Sequence, residues 1–153
     1  MLKSGFRKPA PTLSRRGLPV LLLGIALLCG GISRAESGIV VVAHKDSAVS
    51  QLSREEVAAL FLGKRKLSNE VSVTPIDSKD GALRERFYLA VADMNGLRVK
   101  AYWSRIVFSG QGRPPREAAL AEAGALLSGE PGALTYLPAD QVTPDMKIVF
   151  SVP

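Results

Sequence analysis

The sequence predicts an α/β domain, a single mainly parallel sheet covered by helices. Three observations carry this. Gly38-Ile-Val-Val-Val-Ala43 is a continuous β-branched run, the signature of a strand buried on both faces. Ser53-Arg54-Glu55-Glu56 is a capping box that opens a helix. Strand and helix signals then alternate, which favours parallel strands with helices over the sheet faces.

The domain begins after a leader. Residues 1–35 hold Lys3, Arg7, Lys8, Arg15, Arg16 and Arg34 and no acid. An apolar run from Leu18 to Gly30 follows the basic stretch, and Ser33 and Ala35 form a small-x-small site. This is the layout of a cleaved signal peptide. The run is short against the roughly 20 residues of a membrane span, so export to the periplasm with cleavage after Ala35 is expected, with no span left afterwards. Pro19 and Val20 depart from a twin-arginine continuation. Leu28 stands before Cys29 where a lipoprotein signal has a small residue.

With the leader removed, the charge balance changes. The chain has 20 Lys and Arg and 14 Asp and Glu. Taking away the six basic residues of 1–35 leaves 14 of each sign in 36–153, a neutral domain. Nucleic-acid binding is therefore not expected. Lys64-Arg65-Lys66 is the one dense basic run, suited to a solvated turn or an acidic partner. Cys29 is the only cysteine and leaves with the leader, so packing alone must hold the fold. His44 is the only histidine. No zinc site and no cofactor are expected.

The elements of 36–153 follow in order. After the first strand, His44 to Gln51 is a polar loop. Leu52 and Val57 occupy the staple positions of the first helix, whose apolar face is Val57, Leu60 and Phe61, and Gly63 suits its left-handed C′ position. Val71 to Ile76 reads as a strand, with Pro75 placing it at an edge or near its end. Asp77 to Gly81 is a polar turn into a second helix with Leu83, Phe87, Ala90 and Val91 buried. Asn95-Gly96 breaks it. A third helix buries Val99, Trp103, Ile106 and Val107, with Tyr102 and Phe108 partly covered. Ser109 to Arg113 is a loop. Pro115 and Glu117 suit the first turn of a fourth helix running to Ser128. Ala133–Tyr136 and Lys147–Val152 are the last two strands.

Chemistry concentrates at the second turn. Ser78, Lys79, Asp80 and Gly81 follow a strand and open a helix, where free N–H groups and the macrodipole favour an anion. Arg84, one turn on, offers a planar fork to a carboxylate or phosphate. These five residues are the candidate ligand site. The same residue types also serve as ordinary caps. Gly110-Gln-Gly112 lacks a dinucleotide fingerprint, because it follows a helix and leads into Pro114-Pro115. His44, with Asp46, Ser47 and Ser50 nearby, lacks an oriented nucleophile, and an enzyme is not expected.

Several segments together resemble one family. Leu52-Ser-Arg-Glu-Glu-Val-Ala-Ala-Leu-Phe-Leu-Gly-Lys64, Arg84-Glu-Arg-Phe87, Ala101-Tyr-Trp-Ser-Arg105, Phe108 to Pro115 and Pro131-Gly-Ala-Leu-Thr-Tyr-Leu-Pro138 are similar to motifs of phosphate-type periplasmic substrate-binding proteins, in particular short single-lobe members. The match spans roughly residues 39–150. It implies one lobe of a type 2 periplasmic-binding-protein-like fold and a phosphate transporter substrate-binding role. Asp80-Gly81 matches the Asp-Gly of the family's phosphate loop. Ser78, Ala82, Leu83 and Arg84 stand where its Arg, Ser, Gly and Thr would be. The implied function is weak binding of a small anion such as phosphate. The alternative is a non-catalytic interaction or sensor-accessory module that meets a protein partner or a second copy.

Overall fold

The computed structural model describes residues 37–64 and 72–153. The expected leader and its cleavage site, Cys29, the start of the second predicted strand at Val71, and Arg65 and Lys66 lie outside the described residues. Among those described, no helix is long and apolar enough to cross a membrane.

The chain forms β1 (Ile39–His44), α1 (Arg54–Phe61), β2 (Thr74–Ser78), α2 (Gly81–Ala92), α3 (Gly96–Phe108), β3 (Arg116–Ala118), α4 (Ala123–Gly129), β4 (Ala133–Pro138) and β5 (Met146–Ser151). Short 3₁₀ turns cover Leu120–Glu122 and Ala139–Gln141. The sheet order is β3-β2-β4-β1-β5. β2 runs parallel to β3 and β4, whereas β1 is antiparallel to both β4 and β5. Four of the five strands therefore share one direction, and β1 is the reversed one.

The first strand's composition explains its place. Ile39, Val41 and Ala43 point into a core with α1, α2 and α3, while Val40 and Val42 point into a second core with Ala123 and Leu127 of α4. Each face of β1 is covered by helix, so the usual polar alternation is absent. The capping box of α1 forms as expected: Glu56 N donates to Ser53 Oγ at 3.2 Å, and Ser53 N donates to Glu56 Oε2 at 2.9 Å. Gly63 follows with φ +65°, the left-handed turn that spares a side chain its steric penalty.

Three expectations need correction, and the two alternatives for Pro75 are resolved. β2 is not an edge strand, because β3 pairs beside it, so the proline stands near a strand end instead. Pro75 is tolerated near its start, where β4 is the only pairing neighbour and β3 pairs from Ile76 onward. Asp77 and Ser78 belong to this strand rather than to the turn. The fourth helix is broken: Arg116–Ala118 is strand β3, and α4 starts only at Ala123. Pairing of Glu117 with Asp77 in register overrides the local helix-start signal of Pro115 and Glu117. Lastly, Val107 and Phe108 are 50% and 92% exposed, because the buried face of α3 ends at Val99 and Trp103.

One glycine is demanded by close approach. A Cβ built on Gly132 would lie 2.1 Å from the Ser72 carbonyl oxygen, where Gly132 O also accepts Thr74 N at 2.8 Å. Gly132→Ala must push apart the strands that begin β2 and β4. We expect a loss of about 2 kcal/mol, read as a lower denaturant midpoint at unchanged m-value.

Candidate functional site

Asp77 sits near the C-terminal end of β2, 1% exposed. Its carboxylate is fully engaged. Ser78 N donates to Oδ1 at 2.9 Å, the Tyr136 hydroxyl donates to the same oxygen, and the Tyr88 hydroxyl donates to Oδ2 at 3.0 Å. Arg84 Nε lies 3.1 Å from Oδ2. Burial pushes the Asp77 carboxyl above the usual carboxylate range, while Tyr136, Arg84, Tyr88 and the Ser78 N–H oppose that rise. Burial and the Asp77 charge drive both tyrosine hydroxyls well upward, so they remain protonated donors.

The placement follows from the elements. β2 delivers Asp77, the first turns of α2 deliver Arg84 and Tyr88, and β4 delivers Tyr136. Asp77 and Glu117 are register partners on neighbouring parallel strands. Two adjacent acids repel, and Arg84 resolves this by bridging them, with Nη1 donating to Glu117. Arg84 is thereby clamped, with its side chain 29% exposed. Among the described residues no hydrogen bond engages its Nη2, so that part of the five-donor fork is open.

A groove of about 580 Å³ opens beside Arg84 between α2 and α3. Gly81, Arg84, Glu85 and Tyr88 form one wall, and Val99 and Trp103 belong to the other. Its size fits a small ligand. Its charge is balanced rather than basic, because Glu85 and Glu117 line it beside Arg84 and Lys100.

The five residues singled out from sequence come together at one end of α2, but with internal roles. Asp80 is the N-cap, and its Oδ1 accepts Ala82 N at 2.9 Å and Leu83 N at 3.1 Å. It thus takes up two of the free N–H groups that would draw an anion. Ser78 Oγ accepts Asp80 N at 3.1 Å. Lys79 Nζ lies 3.9 Å from Glu122 at the surface. Gly81 and Arg84 line the groove, whereas Ser78, Lys79 and Asp80 do not. Asp77, Tyr88, Glu117 and Tyr136 were missed as a group. Tyr136 lay within the Pro-Gly-Ala-Leu-Thr-Tyr motif, but nothing local tied it to an acid 59 residues away. His44 has Asp46 beside it at 3.7 Å, and the Ser47 hydroxyl accepts the Val49 N–H. Among the described residues no group of three acids, His or Cys is placed to hold a metal.

No family model and no curated protein matches this sequence. Solved structures do. One is a protein from Clostridium perfringens described as a phosphate ABC transporter substrate-binding protein with bound phosphate, with a TM-score of 0.57 at 17% identity over 74% of this chain. The chain shares its α/β fold with part of that protein. The chain spans 44% of that protein's length. An ABC-type phosphate transport receptor from Vibrio cholerae (TM-score 0.49, 13% identity) and a possible phosphate binding protein from Planctomyces limnophilus (0.47, 12%) also align over 74% of this chain, which spans 45% and 40% of theirs. The Arg84 groove begins at Gly81, where β2 hands over to α2, and ligands of open α/β sheets bind outside the carboxyl ends of the strands.

Proposed function

We propose that this chain is an exported, periplasmic, non-enzymatic binding module that takes a small anion weakly, phosphate being the first candidate. The observation that carries the reading is Arg84. Arg84 is held by Asp77 and Glu117, lines the groove, and among the described residues has no hydrogen bond at Nη2. A pre-oriented fork loses little entropy on binding an oxyanion. Weakness follows from the same contacts, because Asp77 and Glu117 already offset the Arg84 charge and Asp80 caps α2. The α/β fold shared with part of a substrate-binding protein supports the reading, and the leader supports export.

The test is a thermal-shift titration of the protein with phosphate, beside sulfate, chloride and acetate. A ligand at a hundred times its Kd adds about 2.7 kcal/mol. We expect a phosphate-dependent rise in Tm that Arg84→Lys abolishes, since lysine preserves the charge beside Asp77 but lacks the fork. Absence of any shift at high phosphate would remove this reading. The interaction-module reading would then lead, favoured by the bare Phe108 on α3.

A further inference from the structure

α3 has two faces. Val99 and Trp103 are buried. Leu97, Ala101, Ser104 and Phe108 recur at helical spacing on the opposite side, and all four are exposed. The two large ones are among the barest apolar side chains of the described residues, Leu97 at 80% and Phe108 at 92%. Residues this apolar and this exposed on one outer helix mark a contact surface rather than scatter.

The charge around this stripe says what it meets. α3 contains Arg98, Lys100 and Arg105 and no acid. Lys64, just past the end of α1, joins them: its Nζ lies 5.7 Å and the Arg105 Cζ 5.9 Å from the centre of the Tyr102 ring. The first residue of the dense basic run thus converges with the helix on one flank. On the groove side Glu85 and Glu117 stand nearby, and Glu117 is engaged by Arg84. A second copy docked on this face would set these cations against their own counterparts. An anionic surface would complement them.

We propose that the outer face of α3 is a peripheral docking surface for an anionic lipid membrane. Phe108 and Leu97 enter the interfacial region, and Lys64, Arg98, Lys100 and Arg105 meet the headgroup phosphates. Apolar anchors and basic flanks on one helix are the pattern of an interfacial element. Each cation near such a surface contributes roughly a fivefold gain in partitioning. Lys100, Ser104 and Phe108 also line the groove beside Gly81 and Arg84, whereas Leu97, Arg98, Arg105 and Lys64 do not, and the proposal does not depend on the anion reading.

The test is co-sedimentation of the protein with phosphatidylcholine vesicles made with and without phosphatidylglycerol. Binding is expected only when phosphatidylglycerol is present, and it should fall as salt rises. Phe108→Ser and Arg105→Gln should each weaken it about fivefold, whereas Leu89→Ser, at an exposed apolar position of α2, should leave it unchanged. All three positions are exposed, so folding is not at stake. Binding that ignores Phe108 and Arg105, or no binding at low salt, overturns the proposal. Self-association abolished by Phe108→Ser without vesicle binding would assign the face to a second copy. Binding to polyglutamate but not to vesicles would assign it to an acidic protein. Either result also overturns the proposal.

Discussion

Asp77→Ala is expected to lower folding stability by about 3 to 5 kcal/mol, a fall in Tm of about 10 °C or more. The substitution removes the acceptor of the Tyr136 hydroxyl and the nearer acceptor of the Tyr88 hydroxyl and the Ser78 N–H, which keep only longer contacts of 3.4 Å to the Phe61 carbonyl and 3.3 Å to the Tyr136 hydroxyl, and it leaves Arg84 with Glu117 alone. Leaving a buried donor unpaired costs more than any one bond contributes. Asp77→Asn should cost clearly less, because its carbonyl still accepts from a tyrosine and its volume is kept. The two variants also differ in pH dependence. Burial places the folded-state carboxyl above its unfolded value. Its protonated form is therefore favoured in the folded state, and this contribution is full below the unfolded pKa and is lost as pH rises through the folded one. Urea midpoints taken upward from about pH 4 should show that decline in the wild type. Asp77→Asn, with no proton to lose, should lack it. An identical pH slope in both would mean that Asp77 does not titrate as its burial implies.

Phe87→Ala is expected to cost about 3 to 5 kcal/mol, with chemical denaturation as the measurement. Phe87 is fully buried. Its ring stacks on Tyr136 with centroids 3.7 Å apart and 6° between planes, and meets Phe61 at 4.8 Å and Tyr88 at 5.4 Å edge-on. Removing it opens a cavity under the two tyrosines that hold Asp77, so the loss reaches the polar network as well as the core. Phe108→Ala provides the contrast. The same chemical change at a 92% exposed position should move stability by no more than about 0.5 kcal/mol. Comparable losses at the two positions would contradict the assignment of Phe87 to the core and of Phe108 to the surface.

Much of this was readable along the chain. The capping box at Ser53 and Glu56, the left-handed Gly63, and the inward faces Val57-Leu60-Phe61 and Leu83-Phe87-Val91 are set by contacts within one or two helical turns, and local sequence encodes such contacts directly. Ala133–Tyr136 is legible as a strand, but the need for glycine at Gly132 is not, because the backbone that leaves no room there is that of Ser72, 60 residues away. Arg84 was singled out for its fork, and it does line the groove. Strand β3 was misread because three residues carry too little pattern to outweigh a proline and a glutamate that suit a helix start. Phe108 was expected to be partly covered because an apolar residue at the end of an amphipathic helix reads as core, and only packing reveals that no neighbour reaches it.

The sequence by itself determined the α/β class, the order of most elements and the residues at the mouth of α2, because periodicity and capping are local. Only the tertiary structure decided what those residues do. β1 runs against its neighbours, β3 slips in beside β2, and Asp77 is thereby buried next to Glu117 with Arg84 between them and Tyr88 and Tyr136 above. The physical reason is sequence separation. Asp77 meets Tyr136 across 59 residues and Arg84 meets Glu117 across 33, and no local pattern encodes a pairing formed only when the sheet closes.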